Sequence, residues 1–518
     1  MTTEDVKRNI WRNSISNYIF LFVRLGLGLV VFRMIWQALS DEELGFWATL
    51  WSVFGYGILL DFGFGFTAQK RVAELSVHKD WKQLSQVLST IFFVYVGIAV
   101  ILILIGVLGS PYLIHVFKIT PQNQQKFTEV LVYFFCGMGL AFPLGIFPEI
   151  LRGQQRISLT NYILLGGFLL SFSLMMVALK QHWGLSALFI ITLGCSILAD
   201  LVCGFFAFRQ MPEVKIHPSL FSRGMIHDTL RFSVFAYITT VSNIILTRTD
   251  QLVISMALAV SAVKIYSGGS KVGDMFGNVT IQLPETLSPA AAHLNAKGDR
   301  DFLRQLLIDG TRFSVMVATP LYLICAFYME PILKLVTGDH ILKPQTYWVG
   351  EVLLLWQYVT VLTQSVSKRI FMMCGHERKL MLLGVGEGIV NLGLSLGLIL
   401  YFRNVLCVAV GSLVATSIFG WGYLWPWSAR EANLTGWSLA RTVLLPTWVA
   451  CLPLFGLILI ERIVPQLDFR DNPVLFFVEG ALAFLAAAAG IWKFGLNSGE
   501  RVKLAAYFEK RLGKRSVV

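Results

Sequence analysis

What most constrains this chain is the recurrence of apolar runs long enough to cross a bilayer. About 20 apolar residues span the hydrocarbon core as a helix. Such runs recur at 15–39, 44–65, 86–109, 127–151, 160–179, 184–207, 230–258, 262–286, 312–337, 347–372, 380–401, 405–427, 440–463 and 473–495, with short connections. Of the 518 residues, 14% are charged, against roughly 25% in soluble domains, so no soluble domain of any size fits. The short alternating strands of a β-barrel are missing from the sequence. The expected fold is an all-α polytopic membrane protein with about fourteen transmembrane helices. The start "MTTEDVKRNIWRN" runs into the first apolar stretch without a small-residue cleavage site and reads as leading into an uncleaved helix. The seven cysteines are scattered without CxxC or Cys/His spacing, so neither disulfides nor zinc are expected, and no cofactor motif appears.

Basic residues orient the spans. With a cytoplasmic N-terminus, and with Lys264, Arg312, Lys368, Arg369, Arg441, Arg462 and Lys493 counted in the connections they adjoin, 29 of the 43 Lys and Arg fall on the inner side and 8 on the outer. That is the positive-inside rule obeyed at each crossing. The net charge of +12 is therefore an orientation signal, not a nucleic-acid footprint. Both termini are expected in the cytoplasm of a bacterial cell, with the chain in its inner membrane. In the tail "SGERVKLAAYFEKRLGKR", Leu504, Phe508 and Leu512 alternate with basic residues, a pattern expected to lie on anionic membrane lipids.

One span carries a polar stripe. In "SGGSKVGDMFGNVTIQLPE", residues 267–285, the residues Ser267, Lys271, Asp274, Asn278, Gln282 and Glu285 follow at steps of three or four and share one helical face. If this segment did not cross, every later connection would flip, leaving 17 basic residues outside against 4 inside. It must span, and since a charge at the bilayer centre costs about 2.5–3.5 kcal/mol, the stripe must face helices or water. The wall of a cleft is one reading; a buried interhelical seam, with Lys271 and Asp274 neutralising each other, is the other.

Residues 17–84 and 236–303 align without a gap at an offset of 219: Tyr18 with Tyr237, Trp47 with Tyr266, Asp80 with Asp299, Leu84 with Leu303. Further on, "RGQQR" at 152–156 matches "CGHER" at 374–378, an offset of 222. Six spans per repeat keep the same orientation, so the expectation is two six-helix bundles related by a pseudo-two-fold along the membrane normal, with a central cleft. The partition is 1–209 and 230–430 for the bundles, 210–229 for a cytoplasmic linker, 431–495 for two extra helices and 496–518 for the basic tail. At the stripe's positions the first repeat reads Ala48, Ser52, Gly55, Leu59, Gly63 and Phe66, a smooth counterpart to the polar wall.

"SDEELGFWATLWSVFGYGILLDFGFGFTAQKRVAE" (40–74) resembles the first outer turn and second helix of polysaccharide exporters of the O-antigen flippase type. "TRTDQLVISMALAVSAVKIYSGGSKV" (247–272) is similar to their seventh helix and the turn after it. The resemblance covers roughly residues 10–430. It implies the multidrug/oligosaccharidyl-lipid/polysaccharide exporter superfamily, which includes the lipid II flippases and the drug–cation antiporters. The two extra helices are similar to those of lipid II flippases.

Several charges inside spans are candidates. Arg24 lies near mid-membrane, where its planar donor fork suits a diphosphate; pairing with an acid such as Asp250 is the alternative. Lys271, Asp274, Asn278 and Gln282 are candidate substrate contacts, and Arg248 stays open between substrate contact and structural pairing. Asp250, on a face with Thr239, Asn243 and Thr247, and Glu387, near Asn391, are candidates for coupling to an H+ or Na+ gradient. For Glu387 the competing reading is a satisfied buried acid. Asp61, Glu149, Asp200, Glu285 and Lys334 lie near span ends, where residence at the interface explains them; Arg33 snorkels outward.

The expected function is translocation of a lipid-linked oligosaccharide of the undecaprenyl-diphosphate type for lipopolysaccharide and O-antigen biosynthesis, in company with polysaccharide polymerase machinery. A cation-coupled drug antiporter is the alternative transport reading. A membrane glycosyltransferase or polymerase is the enzyme alternative, on the strength of "DEE" at 41–43, but the outer loops are too short for a catalytic pocket. The orientation is directly testable by thiol labelling from outside. Glu42→Cys and Lys343→Cys label, while His78→Cys, Gln154→Cys, His376→Cys and Lys510→Cys do not. Labelling at 376 contradicts the fourteen-span topology.

Overall fold

The computed structural model describes residues 20, 23–24, 26–62, 64–117, 119–154, 156–222, 224, 249–284, 287, 291, 294–295, 298–339, 342–463 and 473–502. Arg248, Glu285 and the tail from residue 503 lie outside them, and of the expected seventh span only the part from Thr249 onward is described. The described chain is mainly helical. Its helices are α1 (Gly26–Ala38), α2 (Asp41–Leu60), α3 (Phe64–His78), α4 (Trp81–Val116), α5 (Gln124–Leu144), α6 (Ile146–Gly153), α7 (Ile157–Lys180), α8 (Leu185–Gln210) and α9 (Val260–Thr280). Then follow α10 (Arg300–Phe327), α11 (Met329–Thr337), α12 (Pro344–Thr360), α13 (Val366–Met373), α14 (Glu377–Phe402), α15 (Leu406–Phe419), α16 (Trp425–Glu431), α17 (Gly436–Ala450), α18 (Leu452–Ile463) and α19 (Pro473–Gly490). Each expected span is mainly helix where it is described, with interior turns at 61–62, 145, 281, 328 and 451. Among the described residues eight helices are long and apolar enough to cross a membrane, or nine with the bent pair α17–α18.

The remaining spans are built from shorter pieces. Pro344–Thr360 runs through a π-helical turn, Val361–Ser365, into Val366–Met373, and a second π-helical turn, Gly420–Leu424, joins α15 to α16. Such turns widen the helix by one residue and are frequent at functional sites. The sequence reading placed a loop at 66–85, where the structure has α3. Its Ala68, Val72 and Leu75 recur at helical spacing and are buried against Leu84, Leu88 and Ile91 of α4.

The chain forms two compact units. The first comprises Met1–Ser267, Val336–Ile341 and Leu396–Val405; the second comprises Gly268–Leu335, Leu342–Ser395 and Leu406–Val518. In the first, α4 packs along α5, α5 and α7 pack on α8, and α3 lies on α6. In the second, α12 packs on α15 and α10 on α17. The two extra helical segments of the C-terminus fold onto α10: Cys451, Leu454, Ile458, Ala483 and Ala487 enclose Leu323. Lipid is as apolar as leucine, so helix contact here relies on close packing of small residues rather than on expulsion of water. Gly490 shows the principle, since a Cβ there would lie 1.9 Å from the Ala450 carbonyl oxygen.

The internal repeat is visible in backbone detail. Asp80 caps α4 by accepting from the Gln83 N–H, and Asp299 caps α10 by accepting from the Phe302 N–H. Before each cap stands a residue in the left-handed region, Lys79 at φ 55° and Gly298 at φ 71°. Asp80 N–H reaches Leu75 O and Asp299 N–H reaches Leu294 O, both at 3.1 Å. All these pairs keep the offset of 219. The later connection repeats too, but with a different register. Arg156 N–H to Leu151 O and His376 N–H to Phe371 O correspond at an offset of 220. The "RGQQR"/"CGHER" match at 222 is thus a similarity of residue types, displaced by two from the structural equivalence.

Candidate functional site

The polar stripe lies on α9 and its continuation. Gly269, Gly273 and Gly277 recur every four residues, and this face packs against α12: a Cβ on Gly269 would lie 2.7 Å from Gly350 N, and one on Gly277 would lie 3.1 Å from the Gln357 amide. At about 100° per residue, Lys271, Asp274, Asn278 and Gln282 point to the opposite side of the helix. Asp274 and Asn278 are exposed, and Lys271 and Gln282 are half-buried. Gln282 Nε2 donates to Asn278 O at 3.2 Å. The glycines take the packing role and leave the polar face to its surroundings. Arg24 is likewise exposed, with its guanidinium carbon 5.8 Å from the Phe20 ring centroid.

The two candidate coupling acids have different settings. Asp250 is buried and accepts a hydrogen bond from the Tyr266 hydroxyl. Beside it Gln251 accepts from the Ser52 hydroxyl. Glu387 is 2% exposed and accepts from Gln364 Nε2 at 3.0 Å, Thr416 Oγ1 at 2.9 Å and Lys368 Nζ at 3.1 Å. Gln364 sits in the π-helical turn 361–365, which turns its amide toward the acid. Asn391, one turn on, donates to Ser412 Oγ instead. Glu387 therefore has its own covalently tethered cation. Lys334 pairs with Glu330 at 2.9 Å.

Sequence reasoning missed a second cluster. Asp61, Glu149 and Asp200 line one cavity of about 470 Å³ in the first unit, with Phe54, Gln69, Tyr95, Met138 and Ser196. They are not scattered at the interface, as their positions near span ends suggest. Asp61 follows α2, in a turn with Phe62 at φ 48°, and lines the cavity. Its carboxylate accepts from the Tyr95 hydroxyl and, at 3.0 Å, from Gly65 N–H. Glu149, on α6, accepts from Arg152 one turn on. Asp200, on α8, is 9% exposed. The available signal was that all three acids adjoin connections on the same expected side of the membrane in the first repeat.

The "DEE" acids have structural roles in the turn before α2 and its first residues. Ser40 and Glu43 form a capping box for α2, and Glu43 also binds Lys126. Burial raises the Glu43 pKa, but the bonds to Lys126 and Ser40 outweigh it and hold the carboxyl below its usual value. Glu42 accepts from Thr120 N–H at 2.8 Å and Asn123 Nδ2 at 2.6 Å, and Asp41 binds Lys264 at 2.7 Å.

The Glu387 pair generates a stability prediction. Lys368→Met leaves a carboxylate buried without its cation and costs about 3 kcal/mol, the low end for a broken buried pair because Lys368 keeps partial exposure. Adding Glu387→Gln removes the orphaned charge and restores most of the loss. Thermal unfolding of the single and double variants in detergent checks this, and equal melting points for both contradict it.

Comparison with known proteins agrees with this geometry. Residues 38–343 match the family described as polysaccharide biosynthesis protein. No curated protein sequence matches the chain. Among solved structures, the chain is similar to the lipid II flippase MurJ in its inward closed conformation, with 15% identity, 96% of this chain and 99% of that one covered, and a TM-score of 0.71. It is also similar to an inward-facing multidrug resistance transporter of the MATE family and MOP superfamily, with 16% identity, 81% and 96% covered, and a TM-score of 0.64. A third is a MOP superfamily transporter from Pyrococcus furiosus described as having a binding pocket of reverse polarity, with 17% identity, 82% and 96% covered, and a TM-score of 0.56. The fold is thus the all-α multi-pass membrane fold shared by these flippases and transporters, and the chain belongs to the polysaccharide biosynthesis protein family.

Proposed function

We propose that the chain is a flippase, not an enzyme, that carries a lipid-linked oligosaccharide of the undecaprenyl-diphosphate type across the bacterial cytoplasmic membrane by alternating access. Its product feeds O-antigen or related lipopolysaccharide assembly, with a polysaccharide polymerase as the next component, and both termini lie in the cytoplasm. The repeat partition at 1–209 and 230–430, with the linker at 210–229, the extra helices at 431–495 and the tail at 496–518, supplies the framework.

The observation that carries this reading is the division of labour on α9. A glycine face packs on α12 and the opposite face keeps Lys271, Asp274, Asn278 and Gln282 clear of that contact. A charged face cannot stand against lipid, so it faces a water-filled path, and amide and charged groups there suit a sugar headgroup. Arg24, exposed, supplies a guanidinium for the diphosphate, with Arg248 as a further cation. An H+ or Na+ gradient drives the cycle. Of the two acids first considered for coupling, Asp250 has a hydroxyl partner, whereas Glu387 already has Lys368. A polysaccharide family together with a lipid II flippase fold favours this cargo over a drug cation.

A diphosphate entering such a path loses water and needs fixed cations in its place. Arg24→Ala and Lys271→Ala therefore accumulate lipid-linked intermediate on the cytoplasmic face at normal protein levels. Arg24→Lys restores transport only in part, because an ammonium cannot reproduce the bidentate fork, and Arg33→Ala is mild. Complementation with quantification of the lipid-linked intermediate checks the series. Full translocation in both alanine variants removes the anion path and favours the drug-antiporter alternative.

A further inference from the structure

We propose that Asp200 is an exchangeable proton site: the cavity of the first unit loads a proton onto this carboxylate and releases it when the cavity opens. The proposal rests on the reading of the chain as a gradient-driven transporter, and it assigns the proton to a residue outside the candidate substrate path.

The three acids of the cavity are not equivalent. Asp61 is fixed by two donors, the Gly65 N–H and the Tyr95 hydroxyl. Glu149 is paired with Arg152. Asp200 lines the same cavity, is nine-tenths buried, and among the described residues has neither a hydrogen-bond donor nor an ion-pair partner. An isolated carboxylate in a low-dielectric interior is costly by several kcal/mol, and the group avoids this by taking up a proton. The reaction is a simple balance, carboxylate plus one proton from the aqueous phase giving the carboxylic acid, and no other reactant is needed.

The surroundings support exchange rather than permanent neutrality. Asp200 is faced by Asp61 from the α2–α3 turn, Tyr95 from α4, and Glu149 with Arg152 from α6; Cys203 lies one turn along its own helix. From α5 the lining is apolar, Met138 and Phe142, and α7 meets α8 through Gly167 on Ala199. Two further acids share the cavity with Asp200 and Arg152 stands beside them on α6, so the charge around Asp200 changes with any movement of α6 against α8. A volume of about 470 Å³ holds several waters, with Gln69 and Ser196 to bind them, which provides a route for the proton. Glu387 in the second unit is the built-in contrast, since its charge is already met by Lys368.

The test uses the full-length protein in liposomes and dicyclohexylcarbodiimide, which adds to protonated carboxyl groups in apolar surroundings and leaves a stable N-acylurea. Peptide mass spectrometry across a pH series is expected to show the adduct on Asp200. Its yield should fall about tenfold per pH unit above the midpoint, unchanged by Na+, with Glu387 unmodified. Asp200→Asn, a near-isosteric change at a group with no bonded partner among the described residues, is expected to lose the adduct and the response of transport to a pH gradient while retaining its melting temperature. Absence of an Asp200 adduct at every pH overturns the proposal. Protection of Asp200 by Na+ also overturns it, showing a metal cation in place of the proton. An Asp200→Asn protein that still responds fully to the pH gradient overturns the carrier role and leaves the flippase reading standing. Labelling as expected in a protein that moves no lipid-linked oligosaccharide supports the proton site and rejects the flippase reading.

Discussion

A charge inside a bilayer has no water to solvate it, and the arrangement of this molecule follows from how each such charge is met. Glu387 has a lysine, a glutamine and a threonine around it, and Lys334 has Glu330 one turn away. The buried guanidinium of Arg312 binds Glu500, which fastens the segment after α19 to α10. These pairs are what permits polar side chains at membrane depth, where an unpaired ion costs several kcal/mol. Charges that lack such an arrangement, or that stand exposed, are where chemistry with a cargo or a proton is to be sought.

Close packing is the second half of the same constraint. Helices surrounded by lipid gain little from apolar burial, so contact depends on small residues that let backbones approach. Gly269, Gly273 and Gly277 against α12, and Gly490 against α17, are the sites where this is most visible. On α9 the glycines hold one face against α12, and four polar side chains lie away from that contact.

The helical architecture was largely legible in the sequence, because its determinant, the length of the apolar runs, is local. The repeat was legible at Asp80 and Asp299 because a helix cap demands a specific residue at a specific backbone position. It was misread by two residues at "CGHER", where the match rested on residue type alone. The π-helical turns at 361–365 and 420–424 left no clear mark, since they depend on how Gly420 fits against Thr363, a tertiary contact. The acid cavity was also invisible: Asp61, Glu149 and Asp200 are far apart in sequence, and each taken singly resembles an ordinary residue at a span end. Lys368 was counted as an orienting charge, and its role beside Glu387 emerges only when α13 and α14 are seen packed together.

The central claim is that the chain carries a lipid-linked oligosaccharide, with Arg24 and the polar residues of α9 as the proposed contacts. The most direct measurement is translocation in proteoliposomes that contain the purified protein and a fluorescent undecaprenyl-diphosphate oligosaccharide. Movement between leaflets is read by the access of a membrane-impermeant quencher after a pH gradient is imposed. A flippase gives protein-dependent movement of the oligosaccharide, accelerated by the gradient and suppressed in Arg24→Ala. Proteoliposomes that extrude an organic cation under the same gradient, yet leave the oligosaccharide where it was placed, contradict it.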